Sequence, residues 1–485
     1  MRKLLLLVVA LSLMPSVKQP VPGEILKVEF LGLEKGRGRF DVAVYYIEYW
    51  SSVDGGAKIA GKLFVPVGEP PREGWPVKVW LHGFGGPGSD YWHWPFTSES
   101  WRNSRGYTQG VAFSSYGFIC LNPWVAGAGP SEPFATYSPL SLERNAQTAF
   151  DAFKALNNLE EYFEKHPELA KGVKVKVDSS RQVMSTNCIS SPTLIYFAAH
   201  WKEHPEVKGL KCLIADTFNP SVAYITHCLF KHSLNTTVEK AAAAMTLWAG
   251  AVWCLAEERN WPLNEFFTEK AIKLFNKPVE TPVGKLPLMR ASILEPLEKN
   301  SLAPILLKEI EKELGRKPTC KEVAQWIFTE KMLKLTEYET IEEIVNDSFY
   351  RKYFANSDPF FPENIEPFNP EIPLLVIVKR GNETEGGLVS SEERYQCMSK
   401  PRIETLRSWG WKVIEYHSKN ETSWEGKALI WTLKQLSEIL YPNGVPKELN
   451  KKTEEKSLTP IVLAATIVLT VVVLLALWKK RVRRR

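Results

Sequence analysis

Short apolar runs bounded by glycine, proline and asparagine recur through the middle of the chain, with helical spacing between them. Val77-Lys-Val-Trp-Leu81 is β-branched and apolar and ends in His82-Gly83-Phe84-Gly85-Gly86, which predicts a buried strand entering a glycine-rich turn. Gly117 to Leu121 repeats the pattern and ends in Asn122-Pro123, and Gln182-Val-Met-Ser185, Leu210 to Ala215, Pro373 to Val378 and Lys412 to Tyr416 read as further strands. Between them, Leu142 to Phe163 carries apolar residues at helical spacing (Ala146, Ala149, Phe150, Phe153, Leu156), Pro192 to Trp201 suits a helix with proline in its first turn, and a last helix runs through Leu440. Strands alternating with helices predict an α/β architecture, a doubly wound and mostly parallel sheet with right-handed crossovers.

One stretch breaks the rhythm. Leu234 to Phe361 is rich in Ala, Leu, Glu and Lys, with few strand signals, and Ala241 to Ala256 is apolar on most sides. Lying between two core strands, residues 234–361 are expected to form a helical cap over a pocket, with plain helical packing as the alternative.

The two ends have a different pattern. After Met1-Arg2-Lys3, an apolar run from Leu4 to Met14 is too short to span roughly 30 Å of hydrocarbon, and residues 1–18 are expected to be a signal peptide. Ile461 to Trp478 carries no charge and is followed by Lys479, Lys480, Arg481, Arg483, Arg484 and Arg485. Residues 459–478 are therefore expected to be one C-terminal transmembrane helix, with the basic tail 479–485 in the cytoplasm and the N-terminal domain outside the cell membrane. A polar, lysine- and glutamate-rich stretch, 443–458, reads as a short tether, and the folded body is expected over 24–442.

Charge adds one exclusion. The six cations of the tail account for the whole net charge of +6, so the rest of the 485-residue chain is near neutral, which argues against a nucleic-acid partner. Sequons begin at Asn235, Asn346, Asn382 and Asn420, as glycosylation on an exported chain would require. The seven cysteines show no metal-type spacing; an odd count leaves at least one thiol unpaired unless it bridges to another chain.

Taken together, Gly74-Trp75-Pro76 through Leu81-His82-Gly83, Asn122-Pro123-Trp124 through Gly129, Val177-Asp178-Ser179-Ser180-Arg181-Gln-Val-Met, and Asn356-Ser357-Asp358-Pro359 with Ile372-Pro373-Leu374 resemble the α/β-hydrolase superfamily, in particular its branch of secreted lipases and esterases, over roughly Val42 to Leu440. The resemblance implies a strand-to-helix turn that thrusts a nucleophile above the sheet. The family's G-x-S-x-G is here Thr186-Asn187-Cys188-Ile189-Ser190, which puts Cys188 in the nucleophile slot and replaces both glycines with larger residues, so a looser or repacked turn is expected. The alternative for Cys188 is a small buried residue in a site that has lost its chemistry.

By resemblance, the oxyanion donors are the backbone N–H groups of Phe84 and Ile189. The position of the family's histidine falls on Glu421, so His417, at the end of the last strand, is the candidate base, or else an exposed strand-end histidine. The acid falls within Gly381 to Glu385, giving Glu383 and Glu385, with Asp216 as a third candidate. No metal or organic cofactor is implied. Tyr91, Trp92, His93, Trp94 and Phe96 could line a ligand rim or simply pack.

Two functions stay open. The first is a surface hydrolase of esters or related acyl bonds, using Cys188 on a small or lipid-like acyl substrate. The second is a catalytically inactive relative that binds a ligand or protein partner at the cell surface. Glycans at Asn382 and Asn420 would crowd the catalytic edge and favour the second.

Overall fold

The computed structural model describes residues 20–446 and Leu449, except 84–104, 134–135, 220, 224–225, 229–233, 282–283, 295–301, 362–366, 381–383, 386–388 and 419–424. The expected signal segment, transmembrane span and basic tail lie outside the described residues, as do Phe84, the aromatic rim 91–96, Asn382, Glu383, Asn420 and Glu421. No helix among the described residues is long and apolar enough to cross a membrane.

Thirteen strands are present among the described residues. They are β1 (Ile25–Glu34), β2 (Asp41–Ser51), β3 (Ala57–Val67), β4 (Trp75–Leu81), β5 (Ile119–Pro123), β6 (Val177–Asn187), β7 (Leu210–Asp216), β8 (Pro278–Thr281), β9 (Gly284–Pro287), β10 (Leu374–Lys379), β11 (Thr384–Glu385), β12 (Val389–Ser390) and β13 (Val413–Ser418). Nine of them form one sheet in the order β1-β2-β3-β5-β4-β6-β7-β10-β13. The six strands from β5 to β13 run parallel, and β1, β2 and β3 add an antiparallel wing. β4 is buried at every position, as a central parallel strand covered on both faces must be.

The wing departs from the sequence reading, which placed no strand before Val77. Its strands mix Tyr, Glu and Lys with β-branched residues, although β2 holds the apolar run Val42 to Ile47 and β3 the run Leu63 to Val65, a strand signal the sequence reading did not use.

Five helices matter for the site: α1 (Arg105–Ser114), α2 (Leu142–Asn157), α3 (Ser191–His200), α4 (Val238–Glu258) and α5 (Gly426–Leu440). The single helix expected over Leu142 to Phe163 is broken after Asn157. Asn158 turns its amide to the Gly23 carbonyl (3.0 Å), and a separate short helix follows over Leu159–Lys165. Asparagine side chains that bond backbone groups compete with the helix in this way.

The insertion between β7 and β10 is mostly helical and also holds the β8–β9 hairpin. Trp248 and Trp253 of α4 are fully buried, and Trp253 packs against Phe267 and Phe275. Reciprocal capping boxes at Thr319/Glu322 and Thr340/Glu343 start two of its short helices. Both roots of the insertion meet at Asp358. Its buried carboxylate accepts from Ser221 Oγ (2.5 Å), Ala223 N–H (3.1 Å), Tyr350 Oη (3.0 Å) and Phe360 N–H (3.1 Å). A disulfide joins Cys228, near the first root, to Cys397, beyond β10; Cys120, Cys188, Cys212, Cys254 and Cys320 are free thiols.

Candidate active site

β6 ends at Asn187, and Cys188 follows with φ +57°, in the left-handed region, before the chain enters the turn Cys188–Ser190 and α3. A residue with a Cβ pays roughly 1–2 kcal/mol for that conformation, so the surroundings must hold it. Ser191 Oγ donates to the Cys188 carbonyl (2.7 Å) and accepts from Asn219 N–H (3.3 Å). Ser190 Oγ donates to the His82 carbonyl. Gly83 completes the grip: a Cβ there would lie 3.0 Å from both Cys188 Cβ and the Asn187 carbonyl.

Of the two expectations for the turn, looser or repacked, the geometry is the repacked one. Ser190 fits where glycine was expected because its hydroxyl finds a carbonyl. Thr186 fits by burying its side chain completely, at the cost of a hydroxyl without a hydrogen-bond partner among the described residues.

The Gly83 contact brings the start of the glycine-rich loop against the elbow. Phe84, one of the two oxyanion residues, lies outside the described residues. The backbone of the other, Ile189, sits in the first turn ahead of α3, where helical N–H groups lack intrahelical acceptors and favour negative charge. His82 anchors the loop. Val125 N–H donates to its Nε2 (3.4 Å), so Nδ1 carries the proton and donates to the Gly83 carbonyl (2.8 Å). Burial pulls this imidazole down to about 4, and it is neutral.

The sheet register shows where the other candidates stand. Asn187 pairs with Asp216, Asp216 with Ile377, and Ile377 with Tyr416. Asp216 thus closes the strand beside the elbow and is buried. His417 lies three strands away, roughly 14 Å at the usual strand spacing. Its Nε2 faces Glu415 Oε2 (3.4 Å), its Nδ1 faces Arg380 Nη1 (3.2 Å), and Tyr395 packs edge-on against the ring. Arg380 is itself forked onto Glu392. Alternation along β13 puts Glu415 and His417 on the face that meets Tyr395, while Tyr416 packs on Trp431 of α5.

The structure therefore does not bring His417 to Cys188: β13 is the edge strand, three strands from β6, and the imidazole faces Glu415, Arg380 and Tyr395 there. Glu385 lies in the two-residue ladder β11–β12, paired with Val389.

What the structure does bring to Cys188 was missed by the sequence reading. Asn219 Nδ2 approaches Cys188 Sγ at 3.6 Å, and Asn219 Oδ1 is buried without a hydrogen-bond partner among the described residues. Tyr137 is close enough to couple electrostatically with both Cys188 and Cys254, and burial holds its phenol well above the usual range. The only sequence signal for Asn219 is its place in an Asn-Pro turn just after β7. The sequons Asn235 and Asn346 are exposed.

A mostly parallel sheet, crossover helices, an insertion after β7 and a left-handed residue at the β6–α3 turn define the α/β-hydrolase fold, and this chain has it. Among solved structures it is similar to the rice cell wall degrading esterase LipA from Xanthomonas oryzae, with 16% identity, a TM-score of 0.57, 87% of this chain and 97% of that chain covered. It is also similar to Candida antarctica lipase A in its closed state, with 8% identity, a TM-score of 0.50, and 89% and 85% covered. No family model matches the sequence, and no curated protein matches it.

Proposed function

We propose that this protein is a membrane-anchored acyl hydrolase whose body lies outside the cell and whose nucleophile is Cys188. The observation that carries the reading is the left-handed Cys188 between β6 and α3, gripped by Gly83 and Ser191. Strained conformations persist where the surroundings over-determine them, and they cluster at reactive sites. A thiol at a helix N-terminus is poised as a nucleophile.

In this reading the thiolate bonds to the acyl carbon, and the oxyanion rests on the Ile189 and Phe84 amides. The bond to the leaving oxygen or sulfur breaks as that atom takes a proton, and water then hydrolyses the enzyme-bound thioester to a carboxylic acid. His417 would carry the proton after leaving Arg380 and Glu415, with Asp216, Glu383 or Glu385 orienting it. The esterase and lipase among the similar structures agree with an acyl substrate. The Cys228–Cys397 disulfide and the exposed sequons agree with an oxidising compartment, and the uncharged run 461–478 with an anchor.

A second reading is favoured by one observation: the group facing the Cys188 sulfur is the neutral Asn219 amide, and the described imidazole nearest in role is held elsewhere. The protein would then bind an acyl ligand or a partner without turning it over. One experiment separates the two. A thiol-reactive ester probe is expected to label Cys188 in the folded outer domain and to leave the corresponding peptide unlabelled in the Cys188→Ala variant, read by peptide mass so that the free Cys320 thiol is scored separately. A folded protein that retains the ester without labelling or hydrolysis would establish the second reading instead.

A further inference from the structure

The chain leaves its folded body at a defined place. α5 runs back to the end of the sheet where the strands begin; Arg181 Nε donates to the Leu440 carbonyl (3.0 Å), and the guanidinium stacks over Tyr441 (4.7 Å). Leu449 is then buried in a groove lined by Pro76, Gly117, Phe118 and Tyr441. Pro76 opens β4, and Gly117 lies just before β5; Leu449 packs where any side chain at 117 would collide with it, its Cδ2 being 2.7 Å from that Cβ position. The last described residue thus sits under the amino ends of the parallel strands. Cys188 and Gly83 lie beyond the carboxyl ends of β6 and β4, with the cap insertion on the same side.

Resting on the membrane-anchor part of the reading above, we infer that the chain holds its elbow edge and cap away from its own bilayer, so that the acyl donor arrives from the aqueous phase and not from the lipid in which the protein is anchored. Distances decide this. From Leu449 to the start of the span at Thr459 is about ten residues, which reach at most about 35 Å when fully extended. A body of about 430 residues has a radius of gyration of about 22 Å, hence a diameter of about 56 Å. To lay the elbow edge on the bilayer, the face bearing Leu449 would have to stand off by nearly that diameter, which the tether cannot span. With the base face down, the pose in which Leu449 faces the bilayer, the tether suffices.

The test uses the full-length chain in lipid vesicles carrying a headgroup acceptor dye. Cys188 and Cys320 are replaced by serine, and a donor dye is placed at Glu438→Cys on the base or Lys312→Cys in the cap. Energy transfer from position 438 is expected to exceed that from 312 by about twofold, because the two differ by much of a body diameter. Equal or greater transfer from 312 overturns the inference. Extraction of the chain by alkaline carbonate would instead overturn the anchor, so the two failures are distinguishable. In the unlabelled native chain, an ester probe dissolved in water is expected to label Cys188 at the same rate before and after detergent release. The same probe carried on a lipid of the chain's own vesicle should label it at least about tenfold more slowly, since a tethered site out of reach has almost no effective concentration; equal rates overturn the inference.

Discussion

The two ends of the parallel sheet's reactive edge are built in opposite ways. At the elbow, backbone groups and short side chains pack within a few tenths of an ångström of their limit: Gly83 against Cys188, Ser190 on the His82 carbonyl, Ser191 on the Cys188 carbonyl. At the far edge, the half-exposed His417 of β13 is held among the half-exposed Arg380, the mostly buried Glu415 and Tyr395. The nucleophile's position is fixed by sterics and buried hydrogen bonds, which cannot be loosened singly. The imidazole's position is fixed by surface charges, which can. This difference teaches that the geometry for a nucleophile and the geometry for its base are held by separable devices, and that one can remain while the other changes.

That contrast can be broken from the elbow side most strongly. Gly83→Val adds atoms where backbone and Cys188 Cβ already sit at 3.0 Å, and is expected to lower stability by about 3 kcal/mol, the upper range for overpacking, seen as a fall in the denaturant midpoint. Wild-type stability from a valine at this position would show that the loop is not clamped to the elbow.

The pH dependence should have the same origin. His82 is neutral in the fold down to about 4, whereas in the unfolded chain it takes up a proton below about 6.5. The unfolded state therefore binds more protons in that window, and stability is lost as pH falls from about 6.5 to 4, by up to about 3 kcal/mol from this residue alone. His82→Gln should flatten that part of the stability profile. An unchanged slope would mean that the loss belongs to other groups.

The smallest effect is expected at the far edge. Arg380→Ala removes half-exposed ion pairs and should change stability by less than about 1 kcal/mol in the same denaturation assay. A loss as large as that of Gly83→Val would erase the distinction between the two ends.

Much of the architecture was legible in the sequence for a specific reason. The strands β4, β5, β7 and β10 are buried almost throughout, so they read as apolar runs punctuated by turn residues. The antiparallel wing was legible only in the apolar runs of β2 and β3, because the tyrosines, lysines and glutamates around them break the alternation. The turn at 186–191 could be placed because a strand, a break and a proline-led helix occur in order. Asn219 could not, because only the fold carries the segment after β7 to the Cys188 sulfur. Nor could the fate of His417, which depends on Arg380 and Tyr395 arriving from two other segments.

The Cys228–Cys397 crosslink spans 169 residues and encloses almost the whole insertion between β7 and β10. A protease that nicks any exposed turn within that circuit would cut the polypeptide without separating it, since the two pieces would stay covalently joined through sulfur. Damage from an extracellular protease would therefore stay hidden until a reductant released the halves, and the sheet beneath would keep its full complement of strands meanwhile.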